Sequence, residues 1–196
     1  MRKSLLMFVV LAGFASAAPA HKLIHSGLDE DVAKHAFSAA PTIDWNRLSD
    51  KEGKYQEIWT LDGDQLNKVT FFGGVPIGEP LFKEADKKKE PLPKVSPGML
   101  ITDIPVILEH TYRAQGRTTR MTIGDEEPAQ VASRKGIRFT YTYVFGEDEI
   151  ERKGEAFGTF VDGRLYLVTY EAPTLYFFDK DLDHFHQLAG TLKLNS

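Results

Sequence analysis

Cysteine is missing altogether from the 196 residues. That absence excludes disulfide staples, zinc ribbons, thiol redox chemistry and cysteine nucleophiles. It also excludes acylation at a cysteine beside a cleavage site. Long apolar runs are scarce: the stretch from Leu5 to Phe14 falls short of the roughly 20 apolar residues that a membrane span requires, and no later stretch approaches it. Catalytic signatures are lacking as well. There is no G-x-S-x-G, and no serine beyond the first 20 residues sits at a strand-to-helix elbow. The pair Gly73-Gly74 is not followed by the Gly-Lys-Ser/Thr of a phosphate loop. Basic residues do not dominate: 24 Lys and Arg stand against 28 Asp and Glu, a net charge of −4. That balance favours solubility and argues against nucleic acid as the partner.

What is present begins with a leader. Met1-Arg2-Lys3 is positive, Leu5 to Phe14 is apolar, and Ala15 to Ala20 contains only small residues and Pro19. This is the three-part pattern of a secretory signal peptide, with A-x-A cleavage after Ala17 or after Ala20. The expectation is therefore a periplasmic or secreted address and a single globular domain over 21–196. Loss of Arg2 and Lys3 with the leader would make the mature chain more acidic still.

Along that domain, Leu28 to Ala39 is compatible with a short helix whose first turn is acidic, as a helix dipole prefers. Ile58 to Leu61 reads as a strand, Asp62-Gly63-Asp64 as a tight turn and Leu66 to Phe72 as the returning strand, since Asp-Gly between β-prone runs signals a hairpin. Gly73-Gly74 is expected to stop it. Pro76 to Gly98 carries five prolines and most of the local charge, which marks a long Pro/Lys-rich surface loop. Its lysines, Lys83 to Lys94, are interleaved with acids and read as solvated.

Thr102 can cap a helix running to about Gln115, with Ile104, Ile107, Leu108 and Tyr112 on one face, Pro105 in the first turn and Gly116 ending it. Arg120 to Ile123 reads as a short strand. Ile137 to Phe145, Glu151 to Val161 and Arg164 to Tyr170 then form an antiparallel meander, turning near Gly146 and at Asp162-Gly163. A last helix starts near Asp179 or Asp181, buries Leu182, Phe185 and Leu188 or Ala189, and ends at Gly190. The fold class is α+β, a mostly antiparallel sheet covered by helices.

The stripe Phe139, Tyr141, Tyr143, Phe145 lies on one side of its strand. It could line a pocket for a small apolar ligand, with Tyr141 and Tyr143 as the binding residues. Gly154, Ala156 and Gly158 alternate on the neighbouring strand, and large rings against small residues is how a core fills space; packing favours that reading. Asp179-Lys180-Asp181-Leu182-Asp183 imitates the start of a calcium loop, but His184 stands where the loop needs Gly and Gly190 where it needs Glu. An acidic helix start explains these residues without a metal. His184 and His186, two apart on a helix, point in different directions. Glu147, Asp148, Glu149 and Glu151 cluster at a turn, whereas paired catalytic acids need a cleft. No catalytic residue, metal site or cofactor is assigned.

Two stretches resemble PsbP-like and Mog-type domains. Ile58 to Phe71 is similar to their early hairpin. Lys153 to Gly158, Gly163 to Tyr170 and the closing helix around Phe185 are similar to their strand–strand–helix ending. The resemblance implies an antiparallel sheet covered by helices, used for binding and assembly. It transfers no functional residue, and the leader departs from the nuclear Mog branch and its small-GTPase partners. Together these readings point to an exported, non-enzymatic accessory protein that binds an envelope or extracellular component. The alternatives are a carrier of a small apolar ligand and a hydrolase whose site is dispersed in sequence.

Overall fold

The computed structural model describes residues 21–195 except 29, 90, 116, 117 and 146–149. The leader, both cleavage positions, Gly116 and the Gly146 turn lie outside the described residues. The architecture is α+β. Eleven strands in two antiparallel sheets and two α-helices are present among the described residues.

The large sheet contains eight strands. In chain order they are β1 (Lys22–Ile24), β4 (Trp45–Arg47), β5 (Gln56–Thr60), β6 (Lys68–Val75), β7 (Thr118–Val131), β8 (Arg134–Phe145), β9 (Glu151–Val161) and β10 (Arg164–Pro173). In space the order is β1-β4-β5-β6-β10-β9-β8-β7. A small sheet holds β2 (Glu30–Val32), β3 (Phe37–Ala39) and β11 (Lys193–Leu194), ordered β11-β3-β2. Two-residue periodicity sends consecutive side chains to opposite faces, and both faces of the large sheet are apolar. Phe72 packs on one face against Phe82, while Phe71 packs on the other against Trp59 and Phe37. The first face is covered by α1 (Ile104–Ala114) and residues of the 76–98 segment. The second is covered by α2 (Phe177–Thr191) and the small sheet.

The hairpin β5–β6 and the meander β8–β9–β10 stand where the sequence pattern puts them. Elsewhere the chain differs from expectation. Where a helix is expected over 28–39, the described residues 30–39 form a β-hairpin. Ala33, Lys34 and His35 all take left-handed backbone angles (φ 52, 59 and 66), which reverses the chain so that Val32 and Phe37 enter the core from paired strands. Gly73-Gly74 does not end β6. The pairing with β10 shifts register there, from Phe72↔Leu167 to Val75↔Leu165, so the glycines form an irregularity within the strand. A side chain at 73 would collide with Ala33 and Ala36 of the turn packed upon it.

β7 is far longer than Arg120 to Ile123. It is an edge strand, so it tolerates Pro128, and it absorbs Gly124 and Asp125 in a register shift between Ile123 and Glu126. The 76–98 segment is irregular but packed. Leu81, Phe82, Leu92 and Val95 are buried in the core, and Pro80 bridges to Lys94. Its lysines, Lys83, Lys87–Lys89 and Lys94, are exposed, as expected. Helix α1 starts two residues beyond Thr102, after a 3-10 turn over Ile101–Asp103, and α2 starts at Phe177, ahead of Asp179.

Candidate functional site

The aromatic stripe leads to a buried carboxylate. Cross-strand register places Lys68 of β6 beside Glu171 of β10, Glu171 beside Gly154 of β9, and Gly154 beside Tyr141 of β8. Residues in such a row share one face of the sheet, here the face beneath α1. Gly154 has no side chain, so the Tyr141 ring lies over it, in the volume any Cβ would occupy. From that position the Tyr141 hydroxyl donates to Glu171 Oε1 at 2.6 Å. Tyr143, two residues on, donates to Glu171 Oε2 at 3.2 Å. Tyr112 comes down from α1 and donates to Oε1, and Lys68 Nζ sits 3.2 Å from Oε2. The Glu171 side chain is 1% exposed.

A charge so far from water survives only when its oxygens are satisfied. Burial alone would push the Glu171 carboxyl up. The Lys68 ammonium and the Tyr112 and Tyr141 hydroxyls outweigh that and hold it below the ordinary carboxylate value. The tyrosines move the other way. Burial first, and then the Glu171 charge, pushes Tyr112, Tyr141 and Tyr143 well above the ordinary phenol value. The result is a carboxylate that stays ionised and three phenols that stay protonated around neutral pH.

A pocket of about 130 Å³ opens beside this cluster. Tyr112, Tyr143, Phe82 and Ile58 give it an aromatic and aliphatic wall, and the rings of Phe82 and Tyr143 both meet Tyr112 edge-on. Lys68 and Arg152 contribute cations from the sheet. Asp50, Glu52 and Asp64 contribute carboxylates from the connections flanking β5. The Arg152 guanidinium is steadied by the Gln65 carbonyl at 2.9 Å.

Of the two ligand residues singled out from sequence, Tyr141 is enclosed in the core and Tyr143 reaches the pocket. Room beside the small residues of β9 is already filled, by Tyr141 at Gly154 and by Ile104 and Leu167 at Gly158. Phe139 is likewise core. His186 is exposed on α2 with Nε2 2.7 Å from Glu155 Oε1, and His184 does not join it. Asp181 is buried and accepts from Asn67 at 3.0 Å, pinning α2 to the β5–β6 turn. Among the described residues no group of three or more His, Asp or Glu side chains is placed to hold a metal ion, and no helix is long and apolar enough to cross a membrane.

Sequence reading missed Glu171, Lys68 and Arg152. One signal was available: Glu171 is the lone carboxylate in the apolar run Leu165 to Ala172, and such a residue needs partners once the strand is buried on both faces. What no local pattern could supply was the identity of those partners, which come from α1, β6 and β8.

No protein-family model and no curated protein matches the chain. Among solved structures it is similar to the solution structure of cyanobacterial PsbP (CyanoP) from Synechocystis sp. PCC 6803. The two share 13% identity over 93% of this chain and 97% of that one, with a TM-score of 0.45. It is also similar to LpqN, described as involved in cell envelope biogenesis of Mycobacterium tuberculosis, with 6% identity over 93% of this chain and 88% of that one and a TM-score of 0.32.

Proposed function

We propose that this chain is an exported, non-catalytic binding protein that recognises a component of the cell envelope or its surroundings through the pocket beside Lys68, Tyr112, Tyr143 and Arg152. One observation carries the reading: the floor of the pocket is charge-satisfied and locked. Glu171 holds three phenol donors and one ammonium at once, so side chains from α1, β6 and β8 are fixed before any ligand arrives. Such preorganisation lowers the ordering cost of binding. A general base or acid works best with a value near the working pH, whereas Glu171 is driven down and the tyrosines up. That arrangement suits recognition better than proton transfer.

The test is site-specific photocrosslinking in the native envelope. A benzophenone side chain is placed at Gln115 or Leu48 on the pocket rim, and at exposed Lys135, at the opposite end of β8. The expected result is one discrete adduct from the rim positions and none from Lys135. Adducts from Lys135 alone, or none from any position, would overturn the proposal. So would chemical conversion of the captured component by the purified protein.

A further inference from the structure

Resting on that binding role, we infer that the pocket takes a small zwitterion: one carboxylate and one ammonium on a skeleton of a few carbons, as in a free amino acid. The charges of the lining are sorted in space. Lys68 and Arg152 rise from the sheet, on β6 and β9. Asp50 and Asp64 lie on the exposed connections before and after β5 and meet the pocket from that side. A ligand with its carboxylate toward the sheet and its ammonium toward these connections matches both sets.

The donors on the cationic side have capacity left for such a ligand. An ammonium carries three N–H groups and a guanidinium five. Glu171 engages the Lys68 ammonium, and the bonds of Arg152 to Gln65 run through Nη2. Because Glu171 already neutralises Lys68, a plain anion gains little net charge there. The acids at the mouth repel it further. A plain cation meets the Arg152 guanidinium on the floor. Only a ligand carrying both signs avoids an uncompensated like charge, which is discrimination by repulsion as much as by attraction.

Size and polarity agree with this assignment. A volume of about 130 Å³ is close to the roughly 150 Å³ of a cavity that admits benzene, room for a ligand of about six non-hydrogen atoms. Ile58, Phe82 and the ring edges of Tyr112 and Tyr143 give its carbon skeleton an apolar wall.

The experiment titrates the full chain with glycine, β-alanine and γ-aminobutyrate, and with acetate and methylammonium as single-charge controls. Binding is followed by amide chemical shifts of pocket residues and by calorimetry. Saturable binding of at least one zwitterion, tighter than both controls, is expected. The best member of the series reports the charge separation. Arg152→Gln, and separately the pair Asp50→Asn with Asp64→Asn, should each weaken that ligand about tenfold, the factor one charge-assisted hydrogen bond is worth. Acetate or methylammonium binding as tightly as every zwitterion would overturn the inference, as would no binding by any compound. If rim crosslinking still captures an envelope component while the zwitterions fail, the ligand assignment falls and the binding role stands. If the zwitterions bind but the rim captures nothing from the envelope, the failure lies with the broader role.

Discussion

Gly154 faces Tyr141 across the β8–β9 pair, and the Tyr141 ring occupies the volume that a Cβ at position 154 would need. The smallest residue of the row therefore decides whether the largest can reach across it. With the glycine in place the Tyr141 hydroxyl arrives 2.6 Å from Glu171. With anything larger the ring must lift, and a buried carboxylate loses a donor.

Gly154→Ala should thus destabilise the protein by about 3 kcal/mol, combining overpacking with the loss of one hydrogen bond to a charged group. Gly190→Ala is the matched control. It lies in α2, where an added Cβ meets no atom within 4 Å, and replacing glycine in a helix should stabilise by about 0.5–1 kcal/mol. Urea denaturation of the two variants should give shifts of opposite sign.

The Glu171 cluster sets a pH profile with two arms. Glu171 is held below its ordinary value of 4.5 in the folded chain. Its stabilising contribution is complete above 4.5 and is lost as pH falls through the lower folded value, because the unfolded chain takes up the proton first. The three phenols are raised above their ordinary 10.0. Their contribution is complete below 10.0 and is lost as pH rises beyond it, because the unfolded chain then ionises first. Glu171→Gln should flatten the acid arm measured by urea midpoints, and Tyr141→Phe should flatten the alkaline arm.

Much of the frame was legible because it depends on local periodicity. The alternation in Ile137 to Phe145 and the Asp62-Gly63 and Asp162-Gly163 turns place β5, β6, β8, β9 and β10. What could not be read depends on tertiary contact. Three left-handed residues at 33–35 defeat a helical reading of 28–39, yet nothing in Ala-Lys-His announces them. Leu81 and Phe82 look like isolated apolar residues in a Pro/Lys-rich loop, and they are core only because α1 and the sheet leave a space for them. The candidate site follows the same rule. Tyr141 and Tyr143 stand out as a stripe, but the carboxylate they serve lies 30 and 28 residues away along the chain.

On the opposite face of the sheet, Arg138 and Glu155 form a bidentate pair, with Nε–Oε1 at 2.8 Å and Nη2–Oε2 at 2.7 Å. The Glu155 side chain is 1% exposed, and His186 of α2 also reaches it. Burial favours the protonated form of Glu155, but Arg138 and His186 prevail and hold its carboxyl below the ordinary value. Arg138→Met leaves that carboxylate with His186 alone and should cost about 3–5 kcal/mol. Arg138→Met combined with Glu155→Met removes both charges and should recover most of the loss. A double-mutant cycle by chemical denaturation checks it: two additive losses would show that the residues act independently.

At the head of α2, Tyr176 has φ 70 and ψ −53, and the Phe177 amide donates to the Leu175 carbonyl at 2.9 Å. Together these define a γ-turn of the rare, strained hand. Leu175 and Tyr176 are 85% and 71% exposed, so the turn is not imposed by burial of its own side chains. It is imposed from the next residues: the Tyr170 hydroxyl lies 3.1 Å from both the Phe177 and the Phe178 carbonyls, and the Phe178 ring packs against Tyr170. A non-glycine residue held at this φ costs on the order of 1–2 kcal/mol. Tyr176→Gly should therefore raise stability by about 1 kcal/mol after the extra freedom glycine gives the unfolded chain. Tyr176→Ala keeps the strain and loses the edge-on contact with Phe177, so it should be neutral or destabilising. Thermal denaturation separates the two accounts. If alanine stabilises as much as glycine, removing the exposed ring is the cause and the backbone strain is not.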